Sequence, residues 1–455
     1  MKMPESIAKS LYWKTQDLRG RSEIKKRLDW LNETQWWGPK QLQDLQFKKF
    51  KETIEHAYNT VPYYKRIFEE RAITPNDISS FKDIKKLPIL TRETLLDNQQ
   101  ELVSKTADYA TLQTNYSSGS TGRRAEFKQD LNFRLWMKAH QLRTYQWCNN
   151  WDLGKPFVLL WGSEIYWSFK AITDKIENFM TNRQEFNTFN LNKDLIQHFL
   201  KQLYKYKPYL VSTYTNAMYL IAKEAEKQDL QIEGLKAIQA TSEPVPIAMR
   251  KDMRRIFNCE VYDKYGSRET NIISHESPNH EGNLIQVENV FVEFLNEGGE
   301  DCKSGERGRI IVTTLNNFSM PLIRYETSDL ASPLDGYCSS GLGFPRMSDV
   351  HGRIQDLILT PKGEHIDAYF FSFLFMRFRD VHWFQVVQQK IDSLLIRLYV
   401  PNGISQNTLD EIVERIYHHT GFKYNITFEK LNKMPESSTG KFRLCISELG
   451  AYTWK

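Results

Sequence analysis

The chain of 455 residues is poor in cysteine: Cys148, Cys259, Cys302, Cys338 and Cys445 are widely scattered and form no CxxC pair. That spacing fits reduced thiols better than a disulfide framework or a structural zinc cluster, and it points to a cytoplasmic setting. Long hydrophobic runs are missing too. The apolar stretch "AYFFSFLFM" falls well short of the roughly 18 to 20 residues a membrane span needs, and the opening "MKMPESIAKSLYWKTQDLRG" lacks the apolar core of a signal peptide. No membrane span is expected. An excess of one charge is also absent: 61 Lys and Arg stand against 56 Asp and Glu, for a formal net charge of +5 spread through mixed segments. This suggests neither a dedicated nucleic-acid surface nor a membrane patch, and no nucleic-acid-binding motif accompanies the basic and aromatic residues. Internal repeats and low-complexity tracts are lacking as well.

What is present is globular. The length exceeds the roughly 250 to 300 residues at which a single core stops growing, so at least two domains are expected. Hydrophobic residues make up 40% and charged residues 26%, and the aromatic share of 13% is on the high side. From Arg19 to about Glu70 apolar residues recur with a helical period, within a helical N-terminal part of about residues 1–105. Between Phe157 and Ala240 the runs "FVLLW", "YLVSTY" and "LKAIQAT" alternate with amphipathic segments such as "NAMYLIAKEAEKQ". That alternation predicts an α/β layer with a largely parallel sheet and helices on both faces. "VFVEFL" and "GRIIVTTL" read as antiparallel strands that follow. After "HGRIQDLILTPKGEHI" come strands "HWFQVVQQ", "LLIRLYV" and "YNITFEKL" and a helix opened by Thr408, with Glu411 completing a capping box. The expected fold class is α/β: a large N-terminal domain over 1–353 and a small α+β domain over 354–455.

Five short stretches carry chemistry. "YSSGSTG" gathers glycines and hydroxyls that suit an oxyanion, since no Cβ blocks close approach to the backbone N–H groups. It is not a P-loop, because Gly122 is followed by Arg123 where that motif needs lysine. "TSEPVP" and "YDKYGSRE" each follow a strand, so Glu243, Tyr265 and Glu269 sit where an open α/β sheet binds ligands, beyond the strands' carboxyl ends. Glu269 suits Mg²⁺ between phosphates and Tyr265 suits stacking on a base. "IRYETSDLA" offers Asp329 to ribose hydroxyls, and "SSTGKFRL" offers Lys441 from a turn near the C-terminus. Taken singly, each of these has a plain alternative: a surface turn, a solvated charge or a packing tyrosine.

Taken in order, "YSSGSTG", "TSEP", "YGSRE", "RYETSD", "GRIQD" and "TGKFR" resemble the adenylate-forming superfamily. "VPYYKRIF" and "NDISSFKDIKKLPILTRETLLDN" look like its phenylacetate-CoA ligase branch, in particular the CapK-like members associated with capsule and polysaccharide genes. The resemblance covers roughly residues 50–445. It implies an adenylate-forming fold and an ATP-dependent, AMP-forming ligase. In such a ligase a carboxylate attacks the α-phosphorus of ATP to give acyl-AMP and pyrophosphate, and a thiol or amine then takes the acyl group.

By motif match, Ser117, Ser118, Gly119, Ser120, Thr121 and Gly122 would hold the β- and γ-phosphates, and Glu269 would bind Mg²⁺. Glu243, with Pro244 beside it, and Tyr265 would lie around the adenine, and Gly266 and Ser267 would flank the α-phosphate. Asp329 and Arg353 would hold the ribose, and Lys441 would bridge the carboxylate and the α-phosphate. The C-terminal domain would rotate about a hinge near Gln355 and Asp356. The partners implied are a small carboxylic acid and an acceptor that is CoA, a carrier protein or an amine. The resemblance leaves a homodimer open.

The chain departs from the family pattern at several points. The hinge position that is usually acidic is Gln355, and "TGD" reads "TSD", with Ser328 in place of glycine. Of the metal-ligand set "ECP", "GLH" and "CxCG" seen in many relatives, the matching stretches hold Ser277, Leu284, Cys338 and Ser340. Structural zinc is therefore not expected. A non-catalytic relative that binds nucleotide or a partner in a polysaccharide locus is the competing reading.

Overall fold

The computed structural model describes residues 2–116, 125–161, 172–187 and 193–351, and within 358–449 all but 362–364, 367, 376, 379, 434 and 436–443. Six helices form the first part: α1 (Glu5–Leu18), α2 (Glu23–Thr34), α3 (Pro39–Thr60), α4 (Pro62–Glu70), α5 (Arg92–Asp97) and, after a short hairpin, α6 (Leu131–Trp147). α1 lies within the expected helical N-terminal part of about residues 1–105, although it precedes the segment from Arg19 where the apolar period is clear. α1 buries only Ala8, Tyr12 and Gln16, too sparse a stripe to stand out among its polar neighbours.

The hairpin pairs β1 (Gln113–Tyr116) with β2 (Glu126–Gln129), antiparallel. The main sheet follows, with β3 (Phe157–Trp161), β4 (Arg183–Asn187), β5 (Leu210–Tyr214), β6 (Ala237–Thr241) and β7 (Glu260–Ser267) all parallel in the order β4-β3-β5-β6-β7. β8 (Asn271–Glu276), β9 (Asn283–Ile285) and two short strands extend it antiparallel beyond β7. The sequence accounts for the parallel part: "FVLLW" and "LVSTY" are short apolar runs buried on both faces, as parallel strands require.

One face of the sheet packs against the helices Thr215–Lys227 and Ile247–Phe257 through Val158, Val211, Met218, Ile238 and Met253. The other face packs on α1, α2 and α6 through Leu28, Leu142, Phe157, Leu159 and Tyr262. Helices on both faces are thus observed. A separate antiparallel sheet joins β10 (Val290–Leu295), β11 (Gly308–Thr314) and β12 (Tyr325–Ala331).

α6 is anchored by a fully buried pair. Arg143 donates to both carboxylate oxygens of Glu288, at 2.6 and 3.0 Å, and to Gln286 and the Leu31 carbonyl.

Residues 383–447 form a four-stranded mixed sheet whose neighbours run Asn425–Leu431, Ser393–Tyr399, Trp383–Lys390 and Cys445–Ser447, covered by the helices Ala368–Phe375 and Gln406–Thr420. This is the expected α+β unit. The cap of its longer helix differs from the sequence reading: the N-cap is Ser405, whose hydroxyl accepts from the Thr408 N–H at 3.1 Å. Thr408 is the N3 residue of a helix that starts one turn earlier, because an N-cap serine three residues upstream satisfies the same orphan donor. No helix among the described residues is long and apolar enough to cross a membrane.

Candidate active site

The predicted residues that the structure describes gather near the carboxyl ends of β6 and β7. β6 ends at Thr241, and Ser242 takes a left-handed conformation (φ 72°) that turns the chain into Glu243 and Pro244. The Glu243 carboxylate accepts from the Asn216 N–H at 3.1 Å, and its carbonyl accepts from the Thr215 hydroxyl at 2.9 Å. Glu243 therefore docks the turn onto the N-terminus of the helix Thr215–Lys227, where a negative charge is stabilised.

β7 delivers the next group. The Tyr265 hydroxyl donates to Asp329 Oδ2 at 2.8 Å, which joins two residues read from separate motifs. The β7–β8 ladder slips between Tyr265 and Gly266, and the turn that follows is tight. A Cβ on Gly266 would lie 2.3 Å from the Asn271 carbonyl oxygen, so only glycine fits. Ser267 accepts from the Thr270 N–H at 3.2 Å, closing the turn from its first residue.

Glu269 stands in this turn, half-buried, and its carboxylate makes no hydrogen bond or ion pair among the described residues. An uncommitted carboxylate beside the hairpin fits a magnesium ion, a hard cation that takes oxygen ligands.

Asp329 is aimed by β12. Ser328 adopts φ 65°, the conformation that glycine takes most readily, and β11 and β12 change register between Arg309 and Ile311. The Asp329 N–H donates to the Thr327 hydroxyl at 3.2 Å, and that hydroxyl donates to the Ile310 carbonyl. The serine that departs from the family motif keeps the backbone geometry that the motif's glycine would take.

The hairpin that flanks the oxyanion stretch is tied to the same place. Arg268 donates to the Tyr116 carbonyl at 3.2 Å, Gln129 donates to the Arg268 carbonyl at 2.6 Å, and Asn115 donates to Gln129 at 2.6 Å. Both stems of the loop thus lead to the Glu269 turn. Ser117, Ser118, Gly119, Ser120, Thr121, Gly122, Arg353, Gln355, Asp356 and Lys441 lie outside the described residues.

At three of the four positions of the zinc motif the side chains are engaged otherwise, and Ser340 takes part through its backbone N–H. Ser277 accepts from the Glu281 N–H, Leu284 is fully buried in the core, and the Cys338 sulfur accepts from the Ser340 N–H at 3.4 Å. No group of three or more His, Cys, Asp or Glu suited to a metal occurs among the described residues.

Sequence reasoning passed over Lys264 and Asp263, which lie inside a quoted motif. Burial holds the Lys264 amine down at about 8, against the attraction of Cys148 and Asp263. Burial and the neighbouring Asp349 push the Asp263 carboxyl well above the usual range. No local signal marks either residue, because the desolvation comes from elements distant in sequence.

This arrangement, with a parallel sheet, the described site residues at its carboxyl ends and a separate α+β unit, is the adenylate-forming fold. Over 90% of both chains it matches the crystal structure of a 2-hydroxyisobutyryl-CoA ligase in the postadenylation state in complex with R3-HIB-AMP, with a TM-score of 0.74 and 18% identity. Residues 358–448 match the model of the CapK C-terminal domain.

In sequence, the chain is 24% identical over 330 residues to phenylacetate-coenzyme A ligase of Escherichia coli (strain K12), covering 70% of this chain and 72% of the relative. It is 22% identical over 426 residues to Protein CapK of Staphylococcus aureus, covering 89% of each. The chain is thus similar to the phenylacetate-CoA ligase and CapK-like branch of the adenylate-forming superfamily, as its motifs indicated. These relatives and structural neighbours support an AMP-forming ligase.

Proposed function

We propose that this chain is an ATP-dependent ligase that activates a carboxylic acid as acyl-AMP and passes the acyl group to CoA or another thiol or amine acceptor. The observation that carries this reading is the Tyr265–Asp329 hydrogen bond at the mouth of β7, which unites the "YGSRE" and "TSD" motifs beside an uncommitted Glu269. In the first half-reaction a carboxylate oxygen forms a bond to the α-phosphorus and pyrophosphate departs. In the second, the acceptor attacks the acyl carbon and AMP departs with the bonding pair.

The residues divide this work by position. Asp329 accepts from ribose hydroxyls, with Arg353 beside it, and Tyr265 covers the adenine next to the Glu243–Pro244 turn. Gly266 and Ser267 flank the α-phosphate, while the loop Ser117, Ser118, Gly119, Ser120, Thr121 and Gly122 takes the β- and γ-phosphates. Mg²⁺ held by Glu269 would neutralise the phosphate charge that otherwise repels an attacking carboxylate. Lys441 supplies a positive charge to the carboxylate and the α-phosphate, and a hinge at Gln355 and Asp356 separates an N-terminal domain (1–353) from a C-terminal one (354–455) that withdraws the lysine for the second step. A place in polysaccharide biosynthesis is inferred from the motif resemblance to CapK-like members associated with capsule and polysaccharide genes, the branch to which the similarity with Protein CapK also points.

The test is carboxylate-dependent ATP–pyrophosphate exchange with a panel of aromatic, aliphatic, hydroxy and amino acids, run beside Lys441→Ala. Exchange with one acid that is lost in the variant is the expected result. Absence of ATP binding by calorimetry would overturn the ligase reading in favour of a non-catalytic relative.

A further inference from the structure

Across the carboxyl ends of four parallel strands runs a row of side chains. Tyr214 on β5 pairs with Thr241 on β6, and Thr241 pairs with Lys264 on β7. Trp161, the last residue of β3, meets Tyr214 with ring centroids 4.7 Å apart. The Thr241 hydroxyl donates to the Lys264 carbonyl at 2.8 Å and fixes the lysine's backbone. From there the Lys264 side chain reaches back over the row, and its ammonium lies 5.9 Å from the centroid of the Trp161 ring. Strands neighbour one another at about 4.8 Å, so a contact between residues of β7 and β3 spans the two strands between them. Lysine and tryptophan together close over the row.

This ammonium is unmatched. Among the described residues it has no hydrogen-bond acceptor and no ion-pair partner. The carboxylate next in sequence, Asp263, is turned to the other face of the strand, where it is under the influence of Asp349, Arg250 and Glu276. A lysine half withdrawn from water without a partner loses part of its hydration and gains nothing in return. An aromatic face recovers part of that loss. The rest is recoverable from a negative charge brought by a ligand, and Lys264 directly precedes Tyr265 in the site.

We propose that Lys264 recognises a second anionic group on the acid that this enzyme activates, with Trp161, backed by the fully buried Tyr214, forming the wall against which the body of the acid lies. The inference rests on the ligase reading and names its substrate class: an acid with one carboxylate for adenylation and another negative group distal to it.

Matched pairs of acids test this: phenylacetate against 4-carboxyphenylacetate, butyrate against succinate, and hexanoate against adipate. Each is measured with wild type, Lys264→Met and Lys264→Arg, with adenylation read by pyrophosphate exchange and binding read by calorimetry in the presence of ATP. In wild type the dianionic member of at least one pair is preferred. The ratio of kcat/KM within that pair falls roughly 10- to 100-fold in Lys264→Met, the size of one charge-assisted hydrogen bond, and Lys264→Arg retains most of it. Exchange with an unchanged ratio in Lys264→Met overturns the role of Lys264 and leaves the ligase reading intact. Lys264-dependent binding of a dianion without exchange upholds the recognition and overturns the ligase reading. No preference for the dianionic member of any pair, in binding or in exchange, overturns the inference.

Discussion

The Tyr265 hydroxyl donates to the Asp329 carboxylate at 2.8 Å, bridging the end of β7 to β12. The bond orients an acidic group that is otherwise only half-buried, and it links the base-facing and ribose-facing sides of the crevice. A hydrogen bond to a charged group contributes about 1.5–3 kcal/mol. Tyr265→Phe keeps the ring and removes the donor, so it is expected to raise the KM for ATP in pyrophosphate exchange by roughly tenfold or more. A KM for ATP equal to that of wild type would show that the Tyr265 bond does not position Asp329.

Gly266 offers a sharper test of geometry. Its missing Cβ is what allows the Asn271 carbonyl to approach, and Gly266→Ala places a methyl group 2.3 Å from that oxygen. The backbone must shift, and the part that shifts carries Ser267 and Glu269. The variant is expected to stay folded and to lose pyrophosphate exchange by about 100-fold or more, as positioning errors near 1 Å do. Ser267→Ala removes the two hydroxyl bonds to Thr270 without moving the backbone and serves as the milder comparison.

How far the sequence foretells this site depends on whether each signal is local. β3, β5 and β6 were legible because short apolar runs sit between amphipathic segments, and Tyr265 and Asp329 were legible because their motifs are contiguous. The hairpin β1–β2 was not: its strands have four residues each, and its attachment to the Glu269 turn runs through Gln129 and Arg268, residues 139 positions apart. Lys264 escaped notice for a similar reason. It reads as one more lysine in a mixed-charge segment, and only the pairing of β6 with β7 brings it onto the row that holds Tyr214 and Trp161.

Arg143 and Glu288 were equally hidden, since a charged residue in a helix normally reads as a solvated face. Both side chains are fully buried, and they lie 145 positions apart. Removing one partner leaves a charge without water or counter-ion, at a cost of about 3–5 kcal/mol. Arg143→Met is expected to lower the free energy of unfolding, read from denaturant titration, by that amount. The double variant Arg143→Met, Glu288→Leu should recover a large part of the loss, because no charge is then stranded. Additive losses would mean that the pair acts through shape rather than charge.

The last expectation concerns pH. Asp263 is pushed above the usual carboxylate range first by burial and then by Asp349, with Arg250 opposing, and Asp349 is pushed up by burial, with Arg250 opposing and Glu276 adding to it. A carboxyl whose folded pKa exceeds its unfolded value binds more protons in the native state throughout the window between the two. Within that window, which opens upward from the ordinary Asp value of 3.8, stability falls as pH rises. Glu276 works in the other direction: despite its burial, His280 and Arg250 hold its carboxyl below the usual range, so its contribution is present above the ordinary value of 4.5 and is lost as acid protonates it. Buried His140 and His275, held below the ordinary 6.5 by desolvation, pull the other way, because there the unfolded state binds more protons. The aspartates are therefore read as a difference: with rising pH the denaturant midpoint of Asp263→Asn, which cannot ionise, should fall less, or rise more, than that of wild type. A slope of unchanged steepness in Asp263→Asn would assign it to other groups.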